Sequence, residues 1–316
     1  MGEFDLIARY FTRPVRRAAL GVGDDCALLQ VAPGMQLAVS SDMLVEGRHF
    51  LPTVPPQHLG HKALAVNLSD LAACGAQPLA FTLAWSLPRI DEAFVAAFAS
   101  GLLALADAHE IELVGGDTTA GPLNICITVF GQVPTSQALL RSGARVGDEL
   151  WVSGQLGDAR LALEVFRGQL TLDATGFTSV RRAMELPQPR VALGLALRGI
   201  ASSAIDLSDG LAGDLNHVLR RSGVGAVVEV DALPRSAVLA ARPAAPQRLC
   251  VLEGGDDYEL LFTAPAGQHA AVRGAGARCG VAVTRCGHIV AGNALSFVDA
   301  AGQPLALTPR GFDHFA

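Results

Sequence analysis

Aspartates carry the chemistry in this sequence, because they recur beside glycines and at the ends of apolar runs. Asp24 and Asp25 close Gly21-Val22-Gly23-Asp24-Asp25, Asp42 follows a strand-like run over 37–41, and Asp70 ends Asn67-Leu68-Ser69-Asp70. Asp117 follows Val114-Gly115-Gly116, Asp206 and Asp209 flank Ser208 in Ile205-Asp206-Leu207-Ser208-Asp209-Gly210, and Asp256 and Asp257 follow Gly254-Gly255. Ligands of open α/β sheets collect at the carboxyl ends of strands, so carboxylates emitted there by several strands converge on one crevice. Like charges packed together raise one another's pKa or call for a cation, and hard oxygen donors suit Mg²⁺. The set therefore reads as a magnesium cluster. Taken singly, each motif is also ordinary turn and cap chemistry, and Asp209 is placed to cap the helix expected after it. Asp70 differs, because a carboxylate between Leu68 and Leu71 in a mostly apolar helix is costly unless paired or metal-bound. Asn67 lies one turn earlier on the same face and could support it.

Magnesium implies phosphates, yet neither GxxxxGK[ST] nor a GxGxxG after a strand occurs. The chain has one lysine, Lys62, within an expected helix. Phosphate charge would fall to metal ions, to backbone N–H groups such as those of Gly115 and Gly116, and to an arginine such as Arg141. That combination points to metal-dominated phosphoryl transfer.

The elements that must position these residues alternate. A helix over 4–11 places Phe4, Ile7, Ala8 and Phe11 on one face, a strand follows at 37–41, and a helix runs from Pro56 to 73, where Gly75 ends it. A strand over 79–87, a helix capped by Asp91 and reaching 109, and strands over 112–114 and 124–133 complete the first half. The pattern lapses from 134 to 147, which places a domain boundary there and gives domains over 1–137 and 148–316. The second half predicts strands at 150–153, 203–205, 226–230, 249–252 and 258–263, helices at 158–167, 189–197, 209–221 and 268–276, and a C-terminal strand pair. This alternation gives an α/β fold class.

Composition narrows the function further. At 316 residues with 50% hydrophobic and 17% charged residues, the chain is long and apolar enough for a core in each of two domains. The net charge of -6 leaves no basic footprint for nucleic acid. The uncharged stretches 71–88 and 118–140 are interrupted by Gly75 and Pro78 and by Pro122, Gly131 and Pro134, so they read as buried strands with turns rather than membrane spans. Glu3 and Asp5 stand where a secretory signal would be basic and then apolar, so a cytoplasmic protein is expected. The six cysteines form no CxxC pair and are expected to be reduced core residues.

Several longer motifs then fall in a specific order along nearly the whole chain. They include Gly2-Glu3-Phe4, Gly21-Val22-Gly23-Asp24-Asp25-Cys26, Ser41-Asp42-Met43-Leu44-Val45-Glu46-Gly47 with His49, Lys62-Ala63-Leu64-Ala65-Val66-Asn67-Leu68-Ser69-Asp70 and Gly115-Gly116-Asp117-Thr118-Thr119. Arg141-Ser142-Gly143-Ala144, Ile205-Asp206-Leu207-Ser208-Asp209-Gly210-Leu211, Gly254-Gly255-Asp256-Asp257-Tyr258-Glu259-Leu260 and the ending over 311–315 follow. At these motifs the sequence resembles the thiamine-monophosphate kinase family, of the aminoimidazole ribonucleotide synthetase and selenophosphate synthetase superfamily.

The resemblance implies a two-domain aminoimidazole ribonucleotide synthetase-like fold and ATP-dependent conversion of thiamine monophosphate to thiamine diphosphate. It also implies homodimers paired through their N-terminal sheets, with the active site in a cleft completed by the C-terminal domain. Carried over by motif, Asp25, Asp42, Asp70, Asp117, Asp206 and Asp209, helped by Ser40 and Ser41, would hold magnesium ions. Gly116, Asp117, Arg141 and Ser208 would contact ATP, and His49, Asp256 and Phe312 would line the thiamine monophosphate site. The family commonly has Glu where this chain has Asp256, and a larger aromatic at Phe312. The acceptor in this reaction is a phosphate oxygen with a second pKa near about 6, so no general base is required. Rival readings are a superfamily enzyme with another acceptor, such as an aminoimidazole ribonucleotide synthetase, and a non-catalytic nucleotide or thiamine-phosphate binding protein.

Overall fold

The structure is a computed structural model that describes residues 2–23 and 25–312. Asp24 and residues 313–316 of the terminal motif lie outside the described residues, as do the side chains of Glu3 and Phe4. The chain divides into two compact units, one of residues 1–71 and 76–136, the other of 72–75 and 137–316.

The first unit contains α1 (Glu3–Tyr10), β1 (Met35–Val45), α2 (Pro56–Ala73), β2 (Gln77–Leu87), α3 (Glu92–Ala108), β3 (Glu112–Ala120) and β4 (Asn124–Pro134). Pro56 opens α2 where its missing N–H costs nothing, and the Asp91 carboxylate starts α3 by accepting the N–H groups of Ala93 and Phe94. Among the described residues the four strands form one sheet in the order β1-β4-β2-β3, antiparallel except for the parallel β2–β3 pair. Alternation buries Ile125, Ile127 and Val129 of β4 with Phe81, Leu83 and Trp85 of β2 on the helix-covered face. Trp85 there packs against Phe98 of α3, with ring centroids 4.8 Å apart. Helices α2 and α3 meet backbone to backbone: a Cβ at Gly60 would lie 2.0 Å from Phe98 O, and one at Gly101 1.8 Å from Gln57 O.

The other face of this sheet is largely open. Residues 15–18 and 27–29 cover one end of it, where Val15, Ala18, Ala27 and Leu29 pack on Ala80, Val114 and Phe130. That segment is held by Glu112, whose carboxylate accepts the N–H groups of Arg16, Arg17 and Ala18. Along β1, Leu37, Val39 and Met43 remain 46%, 56% and 55% exposed.

The second unit contains β5 (Asp148–Ser153), α4 (Asp158–Phe166), α5 (Ala174–Glu185), α6 (Val191–Ala196), β6 (Ser203–Asp206), α7 (Leu211–Ser222), β7 (Gly225–Glu229), α8 (Ala237–Ala240), α9 (Ala244–Glu253), β8 (Leu260–Pro265), α10 (His269–Cys279), β9 (Val283–Val290), β10 (Leu295–Val298) and β11 (Pro304–Leu305). Among the described residues its seven strands are ordered β11-β10-β7-β9-β5-β8-β6. Leu150, Val152, Leu161, Leu215 and Leu261 lie at the centre of its core. The two units together are an α/β, two-domain AIR synthase-like fold.

Several sequence expectations are corrected here. The apolar run 249–252 is the end of α9 rather than a strand, because so short a run has no period of its own and the residues before it, from Ala244, already form a helix. Asp42 and Asp117 lie inside strands rather than at strand exits, since β1 continues to Val45 and β3 to Ala120. Helix α7 begins at Leu211, so the N-cap position expected for Asp209 falls to Gly210. Of the six free cysteines only Cys250 and Cys286 are buried, while Cys26 and Cys74 are exposed. Among the described residues no helix is long and apolar enough to cross a membrane.

Candidate active site

In the first unit the polar groups gather where β1 meets α2. Ser40 and Asp42 alternate with Ser41 along β1, so they share one face. Ser40 Oγ donates to Asp70 Oδ2 of α2 at 2.5 Å, and Asp42 N–H donates to Asn67 Oδ1 at 3.0 Å. Asn67 is buried and its amide nitrogen donates to Ala63 O at 3.0 Å, which turns the amide oxygen toward Asp42. The Ser41 hydroxyl points to the opposite face, 2.9 Å from Thr128 Oγ1 and 3.2 Å from Ile127 O. Past β1, His49 Nδ1 accepts Val45 N–H at 2.9 Å, and the buried Lys62 donates to His49 O at 3.2 Å.

Gly116 and Asp117 stand on β3, two strands beyond β4 in the pairing rows. Gly116 has φ +153, and a Cβ there would fall 1.8 Å from Leu83 O, so the β2–β3 pairing admits only glycine. The next residues alternate: Thr118 accepts Trp85 Nε1–H at 2.9 Å on the covered face, and Asp117 is exposed. Asp25 is exposed in the bend between the bridged residues Leu20 and Leu28.

In the second unit two loops run side by side past the ends of β6 and β8. Leu207 N–H donates to Glu259 O at 2.9 Å, Tyr258 N–H to Leu207 O at 2.8 Å, and Asp256 N–H to Ser208 O at 3.0 Å. Asp256 and Tyr258 both have positive φ, +66 and +49, and the Tyr258 hydroxyl donates to Asp256 Oδ1 at 3.1 Å. Phe312 is held on the same loop, its N–H donating to Asp209 O at 3.0 Å, with the residue 51% exposed. Asp214 of α7 accepts the N–H groups of both Ser208 and Asp209 on one oxygen, each at 3.1 Å. Burial, together with the Asp209 charge, pushes the Asp214 carboxyl up to about 7, while the two N–H bonds and Arg141 act against the rise. Burial first, then the charges of Arg220 and Arg141, holds His217 below the usual imidazole range. Arg141 is therefore in electrostatic reach of the Ser208–Asp209 loop.

Behind this loop pair lies a buried ion pair. The Arg190 guanidinium meets both carboxylate oxygens of Glu259, Nε to Oε2 at 2.6 Å and Nη2 to Oε1 at 2.5 Å. Ser153 Oγ also donates to Glu259 and in turn accepts Leu260 N–H at 2.8 Å. Asp257 turns away from Asp256 and takes Gly157 N–H on both its oxygens, at 2.9 and 3.1 Å. Burial raises its carboxyl well above the usual range, against the Gly157 bond and reinforced by Glu259, Asp158 and Asp256.

Comparison with known proteins places this arrangement. Residues 23–133 match the family model for the N-terminal domain of AIR synthase related proteins, and residues 145–300 match that for the C-terminal domain. The thiamine-monophosphate kinase of Salmonella typhimurium is 46% identical over 323 residues, covering 100% of this chain and 98% of that protein. The chain belongs to the thiamine-monophosphate kinase family. The crystal structure of the thiamine-monophosphate kinase from Stenotrophomonas maltophilia K279a aligns with a TM-score of 0.86 at 44% identity, covering 96% of either chain. The structure of AaThiL complexed with AMPPCP and TMP aligns with a TM-score of 0.78 at 28% identity, covering 90% of this chain and 89% of that one.

For this thiamine-monophosphate kinase family chain, the geometry sorts the residues singled out in the sequence. It joins Ser40 to Asp70 and Asp42 N–H to Asn67 of the same helix in the first unit, and ties Ser208, Asp209, Asp256 and Phe312 together in the second, where Asp206 ends the strand before that loop. It does not bring the Ser41 hydroxyl to Asp42, and it sets Asp117 on a different strand from both. Asp214, Glu259 and Arg190 were not singled out in the sequence. Asp214 had a signal, since a carboxylate inside the α7 pattern, followed by Leu215, raises the same question as Asp70. Arg190, 69 positions from Glu259, had none.

Proposed function

We propose that the protein transfers the γ-phosphoryl group of ATP to thiamine monophosphate, forming thiamine diphosphate. The observation that carries this reading is the 46% identity over the whole chain to a thiamine-monophosphate kinase, joined by the fold shared with AaThiL complexed with AMPPCP and TMP. In this reading the first domain, 1–137, binds ATP and Mg²⁺ and dimerises, and the second, 148–316, supplies the remaining site residues.

Among the described residues no group of three or more His, Cys, Asp or Glu side chains is arranged to hold a metal ion by itself. The converging cluster expected from the sequence is therefore not assembled by these side chains alone. The donors are hard oxygens throughout, Ser40 Oγ beside Asp70 in one unit and the Asp206 and Asp209 carboxylates in the other. Asp25, Asp42, Asp70, Asp117, Asp206 and Asp209 would hold the ions, with Ser40 and the backbone of Ser41 beside them. Bound magnesium would neutralise phosphate charge.

The chain's own residues supply position. Gly116 and Asp117, with Ser208 and Arg141, hold the nucleotide, Arg141 as a planar cation matched to phosphate oxygens. His49, Asp256 and the Phe312 ring receive the thiamine monophosphate, the ring offering a face for stacking. No residue takes a proton from the acceptor, since its phosphate is already largely ionised at neutral pH. Transfer then depends on holding two anions in line, which is a matter of orientation and charge. The exposed Leu37, Val39 and Met43 of β1 support a homodimer paired through the open face of this sheet. The six free thiols support a cytoplasmic location.

The test is conversion of thiamine monophosphate with ATP by the purified protein, with and without Mg²⁺, and with thiamine and aminoimidazole ribonucleotide precursors as parallel acceptors. Magnesium-dependent thiamine diphosphate is the expected product. Turnover of another acceptor alone, or ATP binding with no product, would replace this reading with one of its two rivals. Light scattering of Met43→Asp against the parent protein checks the dimer.

A further inference from the structure

We infer that Asp214 is a positioning residue, which holds the Ser208–Asp209 peptide and so fixes Asp256 at its carbonyl and Phe312 at the carbonyl that follows. The inference rests on the proposed reading for the roles of those two residues. Its starting point is that a peptide group is planar, so the direction of its N–H fixes that of its C=O. Asp209 N–H and Ser208 C=O belong to one such plane. The N–H donates to Asp214 Oδ2 at 3.1 Å, and the C=O accepts Asp256 N–H at 3.0 Å. The next carbonyl, Asp209 O, accepts Phe312 N–H at 3.0 Å. One buried carboxylate thus orients the peptide that holds Asp256, and with it the residue whose own carbonyl, in the following peptide, holds Phe312.

Two observations separate this role from ordinary helix capping. Asp214 reaches past Gly210 to the N–H groups of Ser208 and Asp209, both upstream of α7, so its bonds serve the loop and not the first turn of the helix. The partner turn also needs outside support, because Asp256 and Tyr258 adopt left-handed φ angles that an isolated loop would relax. There is no slack for a substitute contact, since a Cβ at Gly255 would fall 2.4 Å from Ser208 O.

The decisive feature for a test is that a single oxygen, Oδ2, receives both N–H groups. Asp214→Asn keeps an oxygen there without the charge, whereas Asp214→Glu keeps the charge and displaces the oxygen by a methylene. Amide exchange at Asp256 and Phe312 in the ligand-free protein, and the KM for thiamine monophosphate, are measured for the parent protein, D214N, D214E and D214A. Positioning predicts that D214N stays within about threefold of the parent in both readouts. D214E and D214A exchange at least about tenfold faster and raise KM about tenfold, with kcat changed much less. The reverse order, D214E near the parent and D214N impaired, would overturn the inference in favour of a direct charge role. Unchanged exchange in D214E and D214A would overturn it as well. If D214A does not fold, the order of D214N and D214E still decides. Failure of the parent protein to turn over thiamine monophosphate would sink the functional reading alone, because the exchange arm judges the Asp214 tie without any substrate.

Discussion

The Arg190–Glu259 pair should dominate the stability of the second unit, and its size can be worked from the geometry. Glu259 is 5% exposed, its two oxygens are both engaged by the guanidinium, and the Arg190 side chain keeps 23% exposure. Removing one member of a fully buried pair costs about 3–5 kcal/mol, because the other charge is left desolvated. Water at the arginine end lowers that, so about 2–4 kcal/mol is expected for Glu259→Gln or Arg190→Met. For a unit of this size the loss corresponds to a fall of about 5–15 °C in Tm. The double variant should cost at least about 2 kcal/mol less than the sum of the singles, since an uncharged pair leaves nothing stranded. The chain has two tryptophans, Trp85 in the first unit and Trp151 on β5, two residues from Ser153. Urea unfolding followed by Trp151 fluorescence in a Trp85→Phe background therefore reports on the unit in question. A coupling energy below about 0.5 kcal/mol would refute the reasoning and make the pair a solvated contact of little worth.

Three further outcomes are expected. Gly116→Ala should lower the thermal stability of the first unit by roughly 1–3 kcal/mol or more, since φ +153 and Leu83 O at 1.8 Å both oppose a side chain; an unchanged melting curve would count against the β2–β3 geometry. Ellman's reagent at pH 8 should modify Cys26 and Cys74 first and leave Cys250, whose thiol burial pushes up to about 12, and Cys286 untouched until the protein unfolds. Burial raises the Asp158 carboxyl, against the Ser236 hydrogen bond, so the folded state keeps a proton that the unfolded chain has lost. Stability from this group therefore falls as pH rises from about 4 to the folded pKa and then levels. Asp158→Asn should be the more stable protein at pH 8, with its advantage shrinking toward pH 4, and a pH-independent difference in urea midpoints would contradict the assignment.

The sequence was legible where local chemistry decides. Pro56 and Asp91 announce the starts of α2 and α3 because their effect lies within one turn of their own position. The 249–252 run misleads because four apolar residues fit a strand as well as the buried side of α9, and only its partners tell the two apart. The Asp motifs marked a chemically active chain, but which of them meet depends on strand order. Ser40 reaches Asp70 because β1 lies by α2, while neighbouring Ser41 is turned away by the pleat. The N-cap position expected of Asp209 falls to Gly210, and the Asp209 N–H donates to the Asp214 carboxylate. The Arg190–Glu259 pair was beyond sequence reasoning, since no spacing rule joins residues from separate loops.

The glycine crossing of α2 and α3 makes Asp70 the tip of a lever. Gly60 lies ten residues before Asp70 on α2, which is about 15 Å along the helix axis. With Gly60 and Gly101 each pressed against a carbonyl of the facing helix, the crossing point has no side chain to compress. A methyl group wedged there that tilted α2 by only about 5° would swing its far end by about 1.3 Å on that arm. Such a swing would open the 2.5 Å contact between Ser40 and Asp70. Both glycines lie in the helix crossing, yet the aim of Asp70, the metal ligand proposed above, is set at this fulcrum, so mutational tolerance at positions 60 and 101 should track catalysis as closely as it tracks folding.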